Sequence, residues 1–404
     1  MKDQLNQPID KSIDKSIDKS IAKSAVALTG AQILANIREI RPQLQARASE
    51  IEQLRRIPDD VVQLVRETGA LRMMMPRKWG GPEMNPMQIN EALEELAMGN
   101  ASVAWCAMIQ TDSGLYAAFM EPGVAREIYA DLDTTTSNVI RGLGRARPTQ
   151  GGYIVNGRWP FASGCMHADW FAGGCMVLDA NDGSPVLDAS GKPLHQMILA
   201  RREEFIIHDT WHTTGLCGTG SNDIEAQDLF IPSRRVFSFA KSQQAGALYQ
   251  WPAMLSAKMP GVVLGVARSA IETVRAMMHE RQETSERVAL AMADAQTLYA
   301  SARAYVHASL ADLWHTLQAG DAPSEAQRVA VFLSRANAFH ASRAAVQLMY
   351  DACGGSAIYS KRMPLDRHLR DLQTACQHVM AQRRAQQAAG ELMLGVLECD
   401  YPFL

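Results

Sequence analysis

Between Gly157 and Trp170 the chain reads Gly-Arg-Trp-Pro-Phe-Ala-Ser-Gly-Cys-Met-His-Ala-Asp-Trp. At its centre a small hydroxyl residue, Ser163, precedes a residue with no side chain, Gly164. Such a pair lets a flat ligand come against the backbone and offers it hydrogen-bonding groups. Trp159, Phe161 and Trp170 flank it. The same residues would also suit an ordinary hairpin with buried aromatics. A second stretch, Trp211-His-Thr-Thr-Gly-Leu-Cys-Gly-Thr-Gly-Ser-Asn-Asp, mixes glycines with hydroxyls and ends at Pro232. A third candidate is His378, whose imidazole titrates near neutrality and can donate or accept a proton. A lone histidine in a helix more often serves packing.

These residues need elements to position them. Gly151-Gly152 and the run Tyr153-Ile-Val-Asn156 read as a hairpin feeding the Ser163 strand. From about Thr134 to Phe239, alternating stretches lie between turn clusters at 151–152, 181–184 and 190–193. Many short strands with polar turns predict a small barrel or sandwich. Before them, Ile33, Ile37, Ile40 and Leu44 recur at helical steps. Pro58-Asp59-Asp60 opens a second helix and Gly69 stops it. A further helix holds Ile89, Leu93 and Leu96, and another carries Trp105, Ile109 and Asp112. After them come four helical segments, at 255–279, 284–318, 324–353 and 365–397, separated at 320–323 and 354–364. They predict a four-helix bundle. Residues 1–28 are low-complexity. Asp-Lys-Ser-Ile occurs three times there and would stack Ile13, Ile17 and Ile21, but a tail without fixed structure is expected.

The chain has 404 residues, 47% apolar residues and a net charge of −3. That length supports two or three domains. The charge argues for neither nucleic acid nor an acidic membrane surface. No apolar run is long enough for a transmembrane helix, and no signal-peptide core is seen. The seven cysteines are scattered without Cys-Xaa-Xaa-Cys spacing, which predicts reduced thiols and a cytoplasmic protein. No metal site is expected. No Gly-Xaa-Gly-Xaa-Xaa-Gly follows a strand, so a nicotinamide-binding unit is not expected either.

Together, Trp159-Xaa-Phe161-Xaa-Ser163-Gly164 and Trp211…Gly218-Thr-Gly-Ser221 resemble the middle domain of the acyl-CoA dehydrogenase superfamily. More narrowly they resemble its flavin-dependent monooxygenase branch, the oxygenase components acting on 4-hydroxyphenylacetate, dibenzothiophene and indole-type compounds. Met73-Met-Met-Pro-Arg-Lys-Trp-Gly-Gly-Pro82 resembles the superfamily's Pro-Xaa-Xaa-Xaa-Gly-Gly loop. The resemblance implies an α+β, mainly α fold. A helical domain (29–125) would precede a small β-barrel (126–240) and a four-helix bundle (241–404), in a homotetramer.

It also implies roles. Ser163 would stand beside flavin N5, and Trp211 would cover the flavin face. Ser221 would meet the phosphate, approached closely by Gly218 and Gly220. Arg281 would pair with phosphate oxygens, although a helix-end surface charge explains it equally. Gly354 and Gly355 would add cofactor contacts. His378 would be the catalytic base or oxygen-activating group near flavin C4a. Asn138, Thr111 or Asp112, and Trp79 would face the substrate, with Met108, Tyr116 and Ile358 as further pocket candidates. For Asp112 a helix end near solvent is an equal reading. His167 would orient the strand from behind, and His368 would lie on the bundle surface. The implied activity is hydroxylation of a small phenol- or indole-type substrate through a flavin C4a-hydroperoxide, made from O2 and reduced FMN or FAD delivered by a separate reductase. The alternatives are an FAD-dependent acyl-CoA dehydrogenase and a non-catalytic scaffold. Against the dehydrogenase, the position eight residues before Arg370, where many members of that branch carry a glutamate base, holds Arg362. Other dehydrogenases take the base from an earlier helix, where Glu272 is the residue to check.

Overall fold

The computed structural model describes residues 27–282, 285–360 and 362–396. The repeat before residue 27, and the tail expected there, lie outside the described residues. Helix α1 (Gly30–Ala46) starts at Thr29, whose hydroxyl accepts the Gln32 N–H while the Gln32 side chain accepts the Thr29 N–H. The apolar stripe Ile33, Ile37, Ile40 and Leu44 is fully covered. After α2 (Ala48–Leu54), α3 (Asp59–Thr68) carries Asp59 and Asp60 in its first turn and stops at Gly69, whose φ is 83°. Asn85 caps α4 (Pro86–Gly99), and Asn100 caps α5 (Ala101–Gln110) by accepting two backbone N–H groups. The chain then bends at Thr111 and Asp112 before α6 (Ser113–Phe119) and α7 (Pro122–Ile128). Asp112 therefore sits in an elbow, not inside one continuous helix.

Seven strands follow. These are β1 (Thr136–Thr149), β2 (Gly152–Trp159), β3 (Trp170–Val177), β4 (His195–Arg201), β5 (Ile206–His208), β6 (Asp223–Pro232) and β7 (Val236–Phe237). They form one sheet in the order β5-β6-β2-β1-β3-β4-β7, with β1 and β3 parallel and the other pairs antiparallel. The expected barrel is not closed by hydrogen bonds, because the edge strands β5 and β7 are short and do not pair. The sheet still wraps round its own core. Trp159, Phe171 and Phe205 pack edge to face at 5.0–6.2 Å, among Ile198, Ile224 and Ile231.

The C-terminal part comprises α8 (Met254–Ala257), α9 (Pro260–Arg281), α10 (Glu286–Ala319), α11 (Glu325–Cys353), α12 (Leu365–Ala375) and α13 (Arg383–Met393). The break at 320–323 stands as expected: Gly320 ends α10 at φ 84° and Ser324 caps α11. The fourth expected helix, 365–397, is instead two helices joined by a 3-10 turn at Val379–Ala381. Residues 397–404 lie outside the described residues. The N-terminal helices and the bundle share one apolar core. Helix α9 lies so close on α4 that a β-carbon on Gly265 would stand 2.2 Å from the Glu94 carbonyl oxygen. Buried Glu94 and Glu95 hold this crossing by ion pairs: Arg303 with Glu94 at 2.8 Å, Arg41 with Glu95 at 3.0 Å, and Arg268 with both.

Candidate active site

Strand β2 ends on Trp159, whose indole N–H is fixed to the Gly174 carbonyl at 2.9 Å. The chain then turns sharply. Phe161 takes φ 66° and Gly164 φ 74°. The turn is laced to the second loop by Ala162 N–H to Asn222 O (3.1 Å) and Gly164 N–H to Thr219 O (2.9 Å). Ser137 on β1 holds the Ser163 carbonyl at 2.9 Å. The Ser163 side chain is buried. Its Oγ lies 2.7 Å from Ser221 Oγ and accepts the Trp105 indole N–H at 3.2 Å.

The loop carrying Ser221 is anchored from α12. Asp371 accepts the Leu216 N–H at 2.6 Å, and the Arg370 guanidinium reaches the Thr214 carbonyl and pairs with Glu52 on α2. A β-carbon on Gly215 would stand 2.0 Å from the Arg370 carbonyl oxygen, so this approach requires glycine. Leu216 is held in the left-handed region, φ 50° and ψ 31°. Its carbonyl accepts Trp211 Nε1–H at 3.0 Å and Thr219 Oγ1–H at 2.8 Å, and Thr219 Oγ1 meets Ser221 Oγ at 2.7 Å. Burial pushes the Asp371 carboxyl up to about 6, against the pull of the Leu216 N–H. Gly218 is glycine for a packing reason: a β-carbon there would stand 2.2 Å from Ile51 Cγ2. The structure thus puts Ser221 in a hydroxyl cluster with Ser163 and Thr219.

His378 does not lie in a helix. It caps the turn Val379–Ala381, its Nδ1 accepting the Met380 N–H at 3.3 Å. In the neutral ring the proton then sits on Nε2. Burial, helped by the nearby Arg335 charge, pushes its pKa down to about 4, so the ring is neutral at physiological pH. The imidazole meets Trp105 edge to face, with ring centroids 5.7 Å apart. Trp105 therefore joins His378 to Ser163.

In the elbow between α5 and α6, Asp112 forms a buried ion pair with Lys258 just before α9 and accepts Asn138 Nδ2–H at 3.5 Å. The reading of Asp112 as a solvent-facing helix end is corrected: it is 2% exposed. Burial raises its carboxyl to about 6, with Lys258 and Asn138 pulling the other way. Gln110 Nε2, Thr111 Oγ1 and Tyr116 Oη are buried nearby with no hydrogen-bond partner among the described residues. Met108 is also buried.

Other candidates stand apart. Trp79 lies under the Arg126 guanidinium at 5.1 Å, Arg281 is exposed at the last residue of α9, and Gly354, Gly355 and Ile358 lie exposed after α11. His167 is next to Gly164 with its Nδ1 unpartnered among the described residues, and burial lowers it to about 4. His368 is not on the bundle surface. It faces inward from α12 onto Ser269 at 3.1 Å, and burial lowers it to about 3. Trp105 and Lys258 carry no sequence signal for their places here, and Thr219 stands inside the Gly218-Thr-Gly-Ser221 motif without a role of its own there. Trp105 reads as one more apolar residue in a helix, and Lys258 as a surface charge. Among the described residues no group of three or more His, Cys, Asp or Glu side chains could hold a metal, and no helix is long and apolar enough to cross a membrane.

Two family models match the chain: the acyl-CoA dehydrogenase N-terminal domain at residues 32–123 and its C-terminal domain at 258–383. The flavin-dependent monooxygenase oxygenase subunit HsaA of Rhodococcus jostii (strain RHA1) is 29% identical over 351 residues, 82% of this chain and 89% of that protein. The indole-3-acetate monooxygenase of Pseudomonas putida is 29% identical over 367 residues, 87% and 90% of the two chains. Among solved structures, the 3-HSA hydroxylase from Rhodococcus sp. RHA1 superposes with a TM-score of 0.83 at 27% identity, covering 90% of this chain and 97% of that one. XiaF from Streptomyces sp., solved with FADH2 and glycerol, shares the fold at a TM-score of 0.82 and 21% identity, covering 98% and 100%.

Proposed function

The chain belongs to the acyl-CoA dehydrogenase family, among its flavin-dependent monooxygenases, and from that premise we propose that it is the oxygenase component of a two-component system. Its substrate is a small aromatic compound of the phenol or indole type. A separate reductase delivers reduced FMN or FAD, O2 is the co-substrate, and the expected assembly is a homotetramer. The observation that carries this reading is the meeting of Ser163, Trp105 and His378, from three distant parts of the chain, at one place.

The residues present fit a flavin. The Phe161 ring is 68% exposed although its backbone holds a conformation that non-glycine residues avoid, and it stands edge-on to Trp211 at 6.2 Å. An open aromatic surface beside a hydroxyl suits a planar ring. Gln110 Nε2, without a hydrogen-bond partner among the described residues, comes within 2.9 Å of where a β-carbon on Gly164 would stand, a further polar group for a ligand or water. Bound reduced flavin supplies the activation of O2. Ser163 would hold a ring N–H at its Oγ. His378, neutral and protonated at Nε2, would donate a hydrogen bond from that atom; accepting a proton there would first require the other tautomer. Asp112 and Asn138 would meet the polar substituent of the substrate, and the surrounding apolar side chains would exclude water.

Anaerobic titration with oxidised and reduced FMN and FAD tests the reading, followed by oxygen uptake with an added flavin reductase and a panel of phenols and indoles. Tighter binding of the reduced form and product-coupled oxygen uptake are expected. No binding, or equal affinity for both redox states, would overturn it.

A further inference from the structure

Ser163 stands at the end of a file of three buried hydroxyls. The file begins at the Leu216 carbonyl oxygen, which can only accept. Thr219 Oγ1 lies 2.8 Å from it, so the single Thr219 proton must point there. In the 2.7 Å contact between Thr219 and Ser221 the proton is then supplied by Ser221. In the 2.7 Å contact between Ser221 and Ser163 it is supplied by Ser163. Trp105 Nε1 can only donate, and it occupies one lone pair of Ser163 Oγ at 3.2 Å. What Ser163 has left is a lone pair. Reversing the file would press Thr219 Oγ1 against a carbonyl oxygen with no proton between them. Thr219, Ser221 and Ser163 are 1%, 3% and 5% exposed, so water cannot relieve that clash. The starting carbonyl is itself fixed, because Asp371 holds the Leu216 N–H and Trp211 shares the Leu216 oxygen.

We propose that Thr219 and Ser221 are positioning residues that fix Ser163 as a hydrogen-bond acceptor toward the ligand, and that this polarity selects a ring N–H. The inference rests on the flavin reading. Reduced flavin carries a proton at N5, whereas oxidised flavin presents a lone pair there. An acceptor-only Ser163 bonds the first and opposes the second. Redox-state selectivity is thus set two residues beyond the group that touches the ligand.

The test uses the full chain, titrated anaerobically with reduced and oxidised FMN and FAD. The readout is the ratio of the two dissociation constants, checked against the midpoint potential of the bound flavin. Thr219→Val removes the hydroxyl that receives the Ser221 proton. Ser221→Ala removes the next link and serves if the first variant does not fold. In either variant Ser163 becomes free to donate. The preference for reduced flavin should fall about tenfold, with the bound potential dropping by about 30 mV for a two-electron couple. Thr219→Ser keeps the hydroxyl and should keep the ratio. If parent and folded variants prefer reduced flavin equally, the relay is wrong and the flavin reading stands. If the parent binds neither redox state, or binds both equally, both fall.

Discussion

The indole of Trp105 meets the imidazole of His378 edge to face at 5.7 Å, while its N–H is spent on Ser163 at 3.2 Å. One helix residue thus spaces two polar groups that no pattern in the sequence links. A change in the Trp105 ring would move both groups together.

His378→Ala should impair hydroxylation and leave the fold intact. Because burial lowers the imidazole to about 4, the parent's rate between pH 6 and 8 should carry no titration of this group. A pH–rate profile of parent and variant, with circular dichroism as the control, checks both statements. A His378-dependent inflection near pH 6.5 would contradict the buried, neutral ring.

Ser163→Ala should raise the hydrogen peroxide released per flavin oxidised and lower the hydroxylated product by the same share. Loss of one hydrogen bond to a reacting group costs ~1–3 kcal/mol. Peroxide and product are measured in the same assay. Coupling as tight as the parent's would remove Ser163 from the role given to it.

Asp112 and Lys258 form an ion pair with side chains 3% and 2% exposed. Asp112→Ala or Lys258→Met alone leaves an uncompensated buried charge and should cost about 3–5 kcal/mol. The double variant should cost clearly less than the sum of the singles. Urea denaturation of all four proteins closes the cycle, and additive costs would mean that the pair is not coupled.

Acid stability should report His368, with His167 and His378, both lowered to about 4 by burial, acting in the same sense. The His368 pKa falls to about 3 in the folded chain, below the ordinary 6.5, so between those values the unfolded chain binds a proton that the folded chain refuses. Stability therefore falls as pH drops through that window. Asp112 and Asp371, both raised to about 6, act in the opposite sense between about pH 4 and 6, favouring the folded chain as they protonate. Removing the histidine with His368→Gln should flatten the loss on acidification, by up to about 1.4 kcal/mol per pH unit. Urea midpoints from pH 7 to 5 measure it, and an unchanged slope would show that His368 is protonated in the fold.

Acyl-CoA thioesters should not reduce the FAD-loaded protein. Arg362 is exposed with its guanidinium 4.7 Å over the Tyr359 ring, and a guanidinium cannot abstract an α-proton. Glu272, the substitute carboxylate to check, is paired with Arg268 at 3.0 Å. Anaerobic mixing with short, medium and branched acyl-CoAs should leave the oxidised flavin band intact. Bleaching within turnover times would restore the dehydrogenase reading.

The helices of the first part were legible because their signals are local: the stripe Ile33, Ile37, Ile40, Leu44, the acidic start at Asp59 and the stop at Gly69. Sheet closure was not, since strand count does not say whether edges as short as Val236–Phe237 pair. The break before His378 was hidden because Cys376-Gln377-His378 holds neither glycine nor proline, and the imidazole itself caps the next turn. Ser163 stood out by its motif. The direction of its proton did not, because it is set by a contact with Ser221, 58 positions later, which Thr219 and the Leu216 carbonyl orient in turn.

The Asp371–Leu216 hydrogen bond spans 155 positions of the chain. At the usual ~5–20 residues per second of synthesis, roughly 8–30 s separate the emergence of the two residues from the ribosome. Through that interval the sheet can form and the loop can lace to the Ser163 turn, but the Leu216 N–H lacks the carboxylate that holds it from the bundle. The site is therefore completed only once α12 has been made. A nascent chain stalled before Asp371 would carry a folded β-region with its loop still open to chaperones and proteases.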